Sequence, residues 1–156
     1  MKAKQALKEC QVFATLGDQE LEKIASLVSE KEYEAGTFIF EEGNNADELF
    51  VLKEGKIALQ MTLQHGQMSR SISVDIVAQN EVFGWSAIVE PHIYTLSAVC
   101  LQKAKVLSIS SVNLRWLLSD NPNICCEVMQ RLIKVVASRL EDTRRVLISE
   151  RLLPTS

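Results

Sequence analysis

Four cysteines, two histidines and a scatter of serines and carboxylates are the residues of this 156-residue chain that could carry covalent or metal chemistry. Cys10, Cys100, Cys125 and Cys126 show no CxxC pairing. The adjacent Cys125 and Cys126 would lie about 100° apart around a helix, so the four read as reduced thiols rather than metal ligands or a disulfide scaffold. With only His65 and His92 to complete a ligand set, no metal centre is expected. No nucleophile elbow, metal-binding helix motif or phosphate-binding loop accompanies the serines and carboxylates, so no catalytic residue is assigned and the chain does not read as an enzyme. Arg139, Arg144, Arg145 and Arg151 could form a basic patch, against which stands the simpler reading of solvated helix charges.

The elements that must position these groups follow from periodicity. Residues 1–31 read as helical: after Gly17 and Asp18, a plausible N-cap, Leu21, Ile24, Leu27 and Val28 share one helical face. From Tyr33 the period changes to two. Strand-like runs at 37–40, 49–52, 57–63, 72–76, 95–99 and 105–109 alternate with turn residues such as Gly36, Gly43-Asn44-Asn45, Gly55 and His65-Gly66-Gln67, which predicts an antiparallel sandwich or barrel. Ser111 reads as the cap of a short helix, and Asp120-Asn121-Pro122 as the boundary to the next.

From Asn123 to about Leu152 no Gly or Pro interrupts the pattern, and Ile124, Val128, Leu132, Val135, Val136, Leu140, Thr143 and Leu147 form one apolar stripe. A helix of about 29 residues reaches roughly 43 Å, longer than one small barrel can cover. A second subunit is the expected cover, with Ile124, Val128, Leu132, Val135, Leu140 and Leu147 at the seam.

The composition is that of one ordinary globular domain, 47% hydrophobic and 24% charged. A net charge of −3 and a pI near 5.5 supply no field for phosphate backbones, so duplex DNA binding by this chain alone is not expected. No apolar run approaches the roughly 20 residues of a membrane span and no signal-peptide core opens the chain, so no membrane association and a cytoplasmic location are expected.

Tyr33-x-x-Gly36-x-x-Ile39-Phe40-x-x-Gly43-x-x-x-Asp47-x-Leu49-Phe50-x-Leu52-x-x-Gly55-x-Ile57, followed by Val82-Phe83-Gly84, Val106-Leu107-x-Ile109 and the long helix, resembles the cyclic-nucleotide-binding domain of the catabolite-activator (Crp/Fnr-type) family. The resemblance covers roughly residues 12–150. It implies a mainly β fold with α: an eight-stranded double-Greek-key jelly roll with N-terminal helices over 1–31, a barrel over 32–110 carrying a phosphate-binding cassette at 82–98, and C-terminal helices over 111–152, the long one for dimerisation. A single domain spanning 1–156 is expected, without a helix-turn-helix. The ligand site would draw on Phe83, Gly84, Trp85, Ser86, Ala87, Tyr94, Thr95, Ser97, Arg139 and Thr143.

The sequence departs from that family at both decisive places. Trp85 stands where a Glu usually accepts from the ribose 2′-hydroxyl, and Tyr94 where an Arg usually pairs with the phosphate. Trp85 reads either as a packing residue filling the ribose position or as a stacking platform, and Tyr94 as a pocket wall or a neutral donor. Losing the charge-assisted pair weakens binding about tenfold to over a hundredfold. The expected function is a regulatory small-molecule sensor, a homodimer that holds a cyclic nucleotide weakly or takes another small molecule and signals to a regulatory protein partner. The alternatives are a ligand-free structural interaction dimer and the sensor half of a transcriptional regulator.

Overall fold

The amphipathic stripe after Gly17 does form a helix, but strand structure begins earlier than residue 32. In the computed structural model, which describes residues 2–152, α1 (Lys2–Lys8) and α2 (Asp18–Ala25) lead into β1 (Val28–Tyr33). The helical boundary at residue 31 is therefore corrected. Val28 to Tyr33 pair with Ile109 to Ala104, and that ladder engages backbone groups which a helix would have satisfied internally. Gly17 rather than Asp18 is the N-cap of α2, its N–H donating to Glu20 Oε1 at 2.9 Å.

The strands that follow are β2 (Phe38–Phe40), β3 (Glu48–His65), β4 (Met68–Val77), β5 (Val82–Phe83) and β6 (Ser97–Ser110). They form one antiparallel sheet in the order β1-β6-β3-β4, with β2 on β6 and β5 on β3. Six strands are formed among the described residues, against eight expected. The runs at 49–52 and 57–63 are one strand, and so are those at 95–99 and 105–109, apart from Thr95 and Leu96, which precede β6. The turn signals there predict breaks, but β3 and β6 stay hydrogen-bonded through bulges between Leu52 and Ile57.

Gly55 explains how. Its φ is +103°, and a Cβ there would lie 2.4 Å from the Lys103 carbonyl oxygen and 2.7 Å from Ala104 Cα. Gly55→Ala must both strain the backbone and push the two longest strands apart, so a loss of about 3 kcal/mol or more is expected. A denaturant midpoint reporting less than about 1 kcal/mol would show that the bulge relaxes freely.

The core runs through every layer: Leu7, Phe13, Leu21 and Ile24 from the N-terminal segment, Phe50, Ile57, Phe83 and Ile109 from the sheet, and Leu114 from α3 (Ser111–Asp120) are all at most 1% exposed. Ser110, one residue earlier than expected, caps α3 by accepting from the Asn113 N–H at 3.4 Å. The long helix α4 (Pro122–Leu152) divides into two halves of different character. Ile124, Val128 and Leu132 are 2, 0 and 3% exposed and belong to the protomer's own core, with Val135 packed at its margin. Their expected place in a subunit seam is corrected, because a side chain already buried in its own protomer has no surface left for a partner. Beyond them every residue from Leu140 to Ser149 is exposed.

Candidate ligand-binding cassette

Strand β5 delivers Phe83 into an aromatic stack with Phe50 (ring centroids 5.1 Å apart) and Phe40 (6.2 Å). The chain then turns at Gly84 in the left-handed region, φ +75°, where a Cβ would crowd Phe40 and Phe50 at 3.2 and 3.3 Å. A single turn of 3₁₀ helix, Trp85–Ile88, follows. Phe83 and Ala87 are both fully buried and Ala87 donates its N–H to the Gly84 carbonyl at 3.1 Å, so both are core residues and not ligand contacts as expected. The loop from 92 to 94 is laced to the loop from 43 to 46: Ala46 N–H donates to His92 O (2.8 Å), Tyr94 N–H to Asn44 O (2.9 Å) and Gly43 N–H to Tyr94 O (2.8 Å).

Tyr94 is a wall of the site. Its ring lies 3.7 Å from that of Phe40 with an 11° tilt, and only 5% of it is exposed. The hydroxyl donates to the Glu48 carbonyl at 2.6 Å and accepts from the Glu48 N–H at 3.2 Å. Burial pushes the phenol up to about 12. The one donor that this position offers in place of an arginine fork is thus already committed to the barrel backbone.

Trp85 divides the region into two spaces. On the barrel side is a cavity of about 40 Å³ lined by Phe40, Leu59, Gly84, Trp85, Ser86, Tyr94, Thr95 and Leu96. That is far below the roughly 300 Å³ at which ligand pockets begin. On the other side a groove of about 510 Å³ runs between β4 and α4, touching Leu59, Ile72, Val74, Trp85, Leu96 and Val146 among others.

Arg139 sits at the partition. Its guanidinium carbon is 5.4 Å from the centroid of the Trp85 ring, Nη1 pairs with Asp75 of β4, and Nη2 is 3.4 Å from a Glu81 oxygen, near enough to attract but misaligned for a hydrogen bond. Desolvation lowers its pKa from the ordinary arginine value. Thr143, one turn on, donates its hydroxyl to the Arg139 carbonyl at 2.9 Å. Ser97 is also occupied, its hydroxyl accepting from the Glu42 N–H at 2.9 Å, while Thr95 is exposed.

The structure therefore brings together Gly84, Trp85, Ser86, Tyr94, Thr95, Arg139 and Thr143 around the two spaces. It adds Asp75 and Glu81, which sequence reasoning missed. No sequence signal pointed to Asp75: the alternation of Ile72, Val74 and Ile76 reads it as the solvent-facing polar member of the strand, and it is the register shift at Leu59/Gln60 that pairs it with Leu59. Among the described residues no group of three or more His, Cys, Asp or Glu side chains is placed to hold a metal ion. Cys10, buried just after α1, has its thiol pushed up to about 11 by desolvation, which suppresses its reactivity.

An antiparallel jelly-roll sheet, a glycine-turned cassette and a long helix that meets that cassette at Trp85 are the architecture of a cyclic-nucleotide-binding-type domain. The model of the Cyclic nucleotide-binding domain matches residues 30–121, and the chain belongs to that family. It is 27% identical over 112 residues to the CRP-like cAMP-activated global transcriptional regulator of Mycobacterium tuberculosis, an alignment covering 72% of this chain. The chain spans about half that relative's length, 47%. Among solved structures it resembles a proposed cyclic nucleotide-binding protein of Geobacter metallireducens (28% identity, TM-score 0.77, covering 90% of this chain and 99% of that one). It also resembles the N-terminal domain of a transcriptional regulator of Streptomyces coelicolor (25%, TM-score 0.68, covering 91% and 94%).

Proposed function

We propose that this chain is a regulatory sensor that responds to a small molecule other than a high-affinity cyclic nucleotide, and that it works as a homodimer through the distal half of α4. The observation that carries this reading is the stacked contact of Arg139 on Trp85. Trp85 belongs to the cassette and Arg139 to the helix that leaves the barrel, so a ligand that moves one must move or release the other.

The seam follows from what α4 leaves uncovered. Ile133, Val136, Leu140 and Leu147 are 66, 40, 50 and 50% exposed, and with Thr143 they follow a three–four spacing along one face. Most of that face lies about a quarter turn from the side on which Leu132, Arg139 and Val146 meet the rest of the protomer, with Thr143 and Leu147 shared between the seam and the groove. Their exposure supports Leu140 and Leu147 as seam residues and adds Ile133 and Val136 to the candidates.

Cyclic AMP and cyclic GMP should bind no tighter than about ten micromolar, because Tyr94 supplies no cation and Trp85 no acceptor. Calorimetry with the two nucleotides tests this, and a sub-micromolar constant refutes it. Native mass spectrometry of freshly purified protein tests the rest: a dimer carrying an additional small mass is expected. A second reading, a ligand-free interaction dimer, is favoured by the 40 Å³ barrel cavity alone. An empty dimer that ignores a metabolite panel would support it over the sensor.

A further inference from the structure

The groove between β4 and α4 has a chemistry opposite to that of a phosphate site. Its walls are largely apolar: Leu59, Ile72, Val74, Leu96, Val146 and Leu147. The charged side chains that line it are Asp75, Asp142 and Arg139, with no lysine or histidine among them. Arg139 is already engaged by Asp75 and by Glu81, and Asp142 has no ion-pair partner among the described residues. One positive charge therefore faces three carboxylates, and an incoming phosphate or carboxylate would meet a site of negative potential.

The wall already seats a cation. Arg139 lies over the face of Trp85, whose ring quadrupole favours positive charge, with a carboxylate on either side. Its aliphatic stem meanwhile contributes to the hydrophobic lining. Arg139 is, in effect, a tethered occupant of part of the groove, and it shows which ligand chemistry that wall accepts. The remaining space is about 510 Å³, within the range of small-molecule pockets.

We propose that this lateral groove is a binding site for an organic cation with an apolar body, an aryl or alkyl amine or guanidine. The hydrocarbon lies along Ile72, Val74, Val146 and Leu147, and the cationic end is held toward Asp142 and the Asp75 carboxylate that Arg139 shares. Most of the groove faces the barrel side of α4, a quarter turn from Ile133, Val136 and Leu140, and it shares only its Thr143 and Leu147 edge with the seam, so a dimer formed there borders the groove at that edge. This deepens the sensor reading by naming a ligand class, but the binding event itself does not depend on that reading.

Phenethylamine, phenethyl alcohol and phenylacetate share one hydrocarbon and differ in charge, and are titrated into the full chain by calorimetry. A parallel titration follows Trp85 fluorescence in a Trp116→Phe background, Trp116 being a solvent-exposed residue of α3. The amine is expected to bind about five- to tenfold tighter than the alcohol and to quench Trp85, and the carboxylate to bind more weakly than either. Asp142→Asn, on an exposed position, should lower the amine's affinity about threefold and leave the alcohol's unchanged. Equal binding of all three, a preference for the carboxylate, or no binding up to ten millimolar overturns the proposal. Hydrogen exchange over residues 139–149 separates it from the sensor reading. Amine binding without altered exchange there supports the site and sinks the sensor, while a different, non-cationic ligand retained in native mass spectrometry does the reverse.

Discussion

Tyr94→Arg is expected to cost about 3 kcal/mol or more of stability and to create no cyclic-nucleotide site. An arginine at this position lines up with the usual phosphate partner of the family, yet the structure gives it nowhere to stand. The Tyr94 ring is stacked on Phe40 at 3.7 Å and 5% exposed, and the adjoining cavity is about 40 Å³. A guanidinium there would lose the aromatic contact, abandon the two bonds to Glu48, and bring an unpaired charge into the core. Tyr94→Phe removes only the hydroxyl and should cost about 1 kcal/mol. Trp85→Glu, half-buried beneath Arg139, should fold, and the double variant Trp85→Glu plus Tyr94→Arg should remain inert toward cyclic AMP. A folded double variant with sub-micromolar affinity would mean that the barrel mouth opens readily. The pH dependence has a definite sign. The phenol is raised in the folded state to about 12, so its contribution is intact below its unfolded value, about 10, and is lost as pH climbs from there toward 12.

Two substitutions eight residues apart on α4 should fail in different ways. Leu140→Glu is expected to convert the dimer to a folded monomer, since Leu140 is half exposed in the isolated protomer and would place a carboxylate in a desolvated seam. Leu132→Glu is expected to destabilise the protomer itself by about 4 kcal/mol or more, because Leu132 is 3% exposed within the protomer's own core. Light scattering gives the mass and a thermal melt by circular dichroism gives the stability. A wild-type chain that is monomeric at tens of micromolar would remove the seam. Equal melting losses in both variants would mean that the two halves of the helix are not distinct.

The alternation of apolar residues from Tyr33 to Ile109 determined that the centre of this chain is an antiparallel sheet, since a period of two allows only one face to be buried. The glycines at Gly36, Gly43, Gly55 and Gly84 were legible for the same kind of reason: each has positive φ, a conformation other residue types adopt only under strain. The substitutions at Trp85 and Tyr94 could also be read directly, because losing a carboxylate and a guanidinium is a change of composition at a counted position. Strand continuity was not legible. Whether a glycine ends a strand or bulges it depends on the partner strand's backbone, and at Gly55 that partner is Lys103–Ala104, nearly fifty residues away.

The sides of α4 were undecided for a related reason: the helical period shows an apolar stripe but not what covers each part. Ile124, Val128 and Leu132 are buried within the protomer's own core, whereas Leu140 and Leu147 are left half exposed. The charge of the site was decided only in three dimensions. Arg139 could be read as a free cation awaiting an anion until the fold brought Asp75 and Glu81 against it. Electrostatic character falls off with distance in space, not along the chain, so residues sixty positions apart set it together.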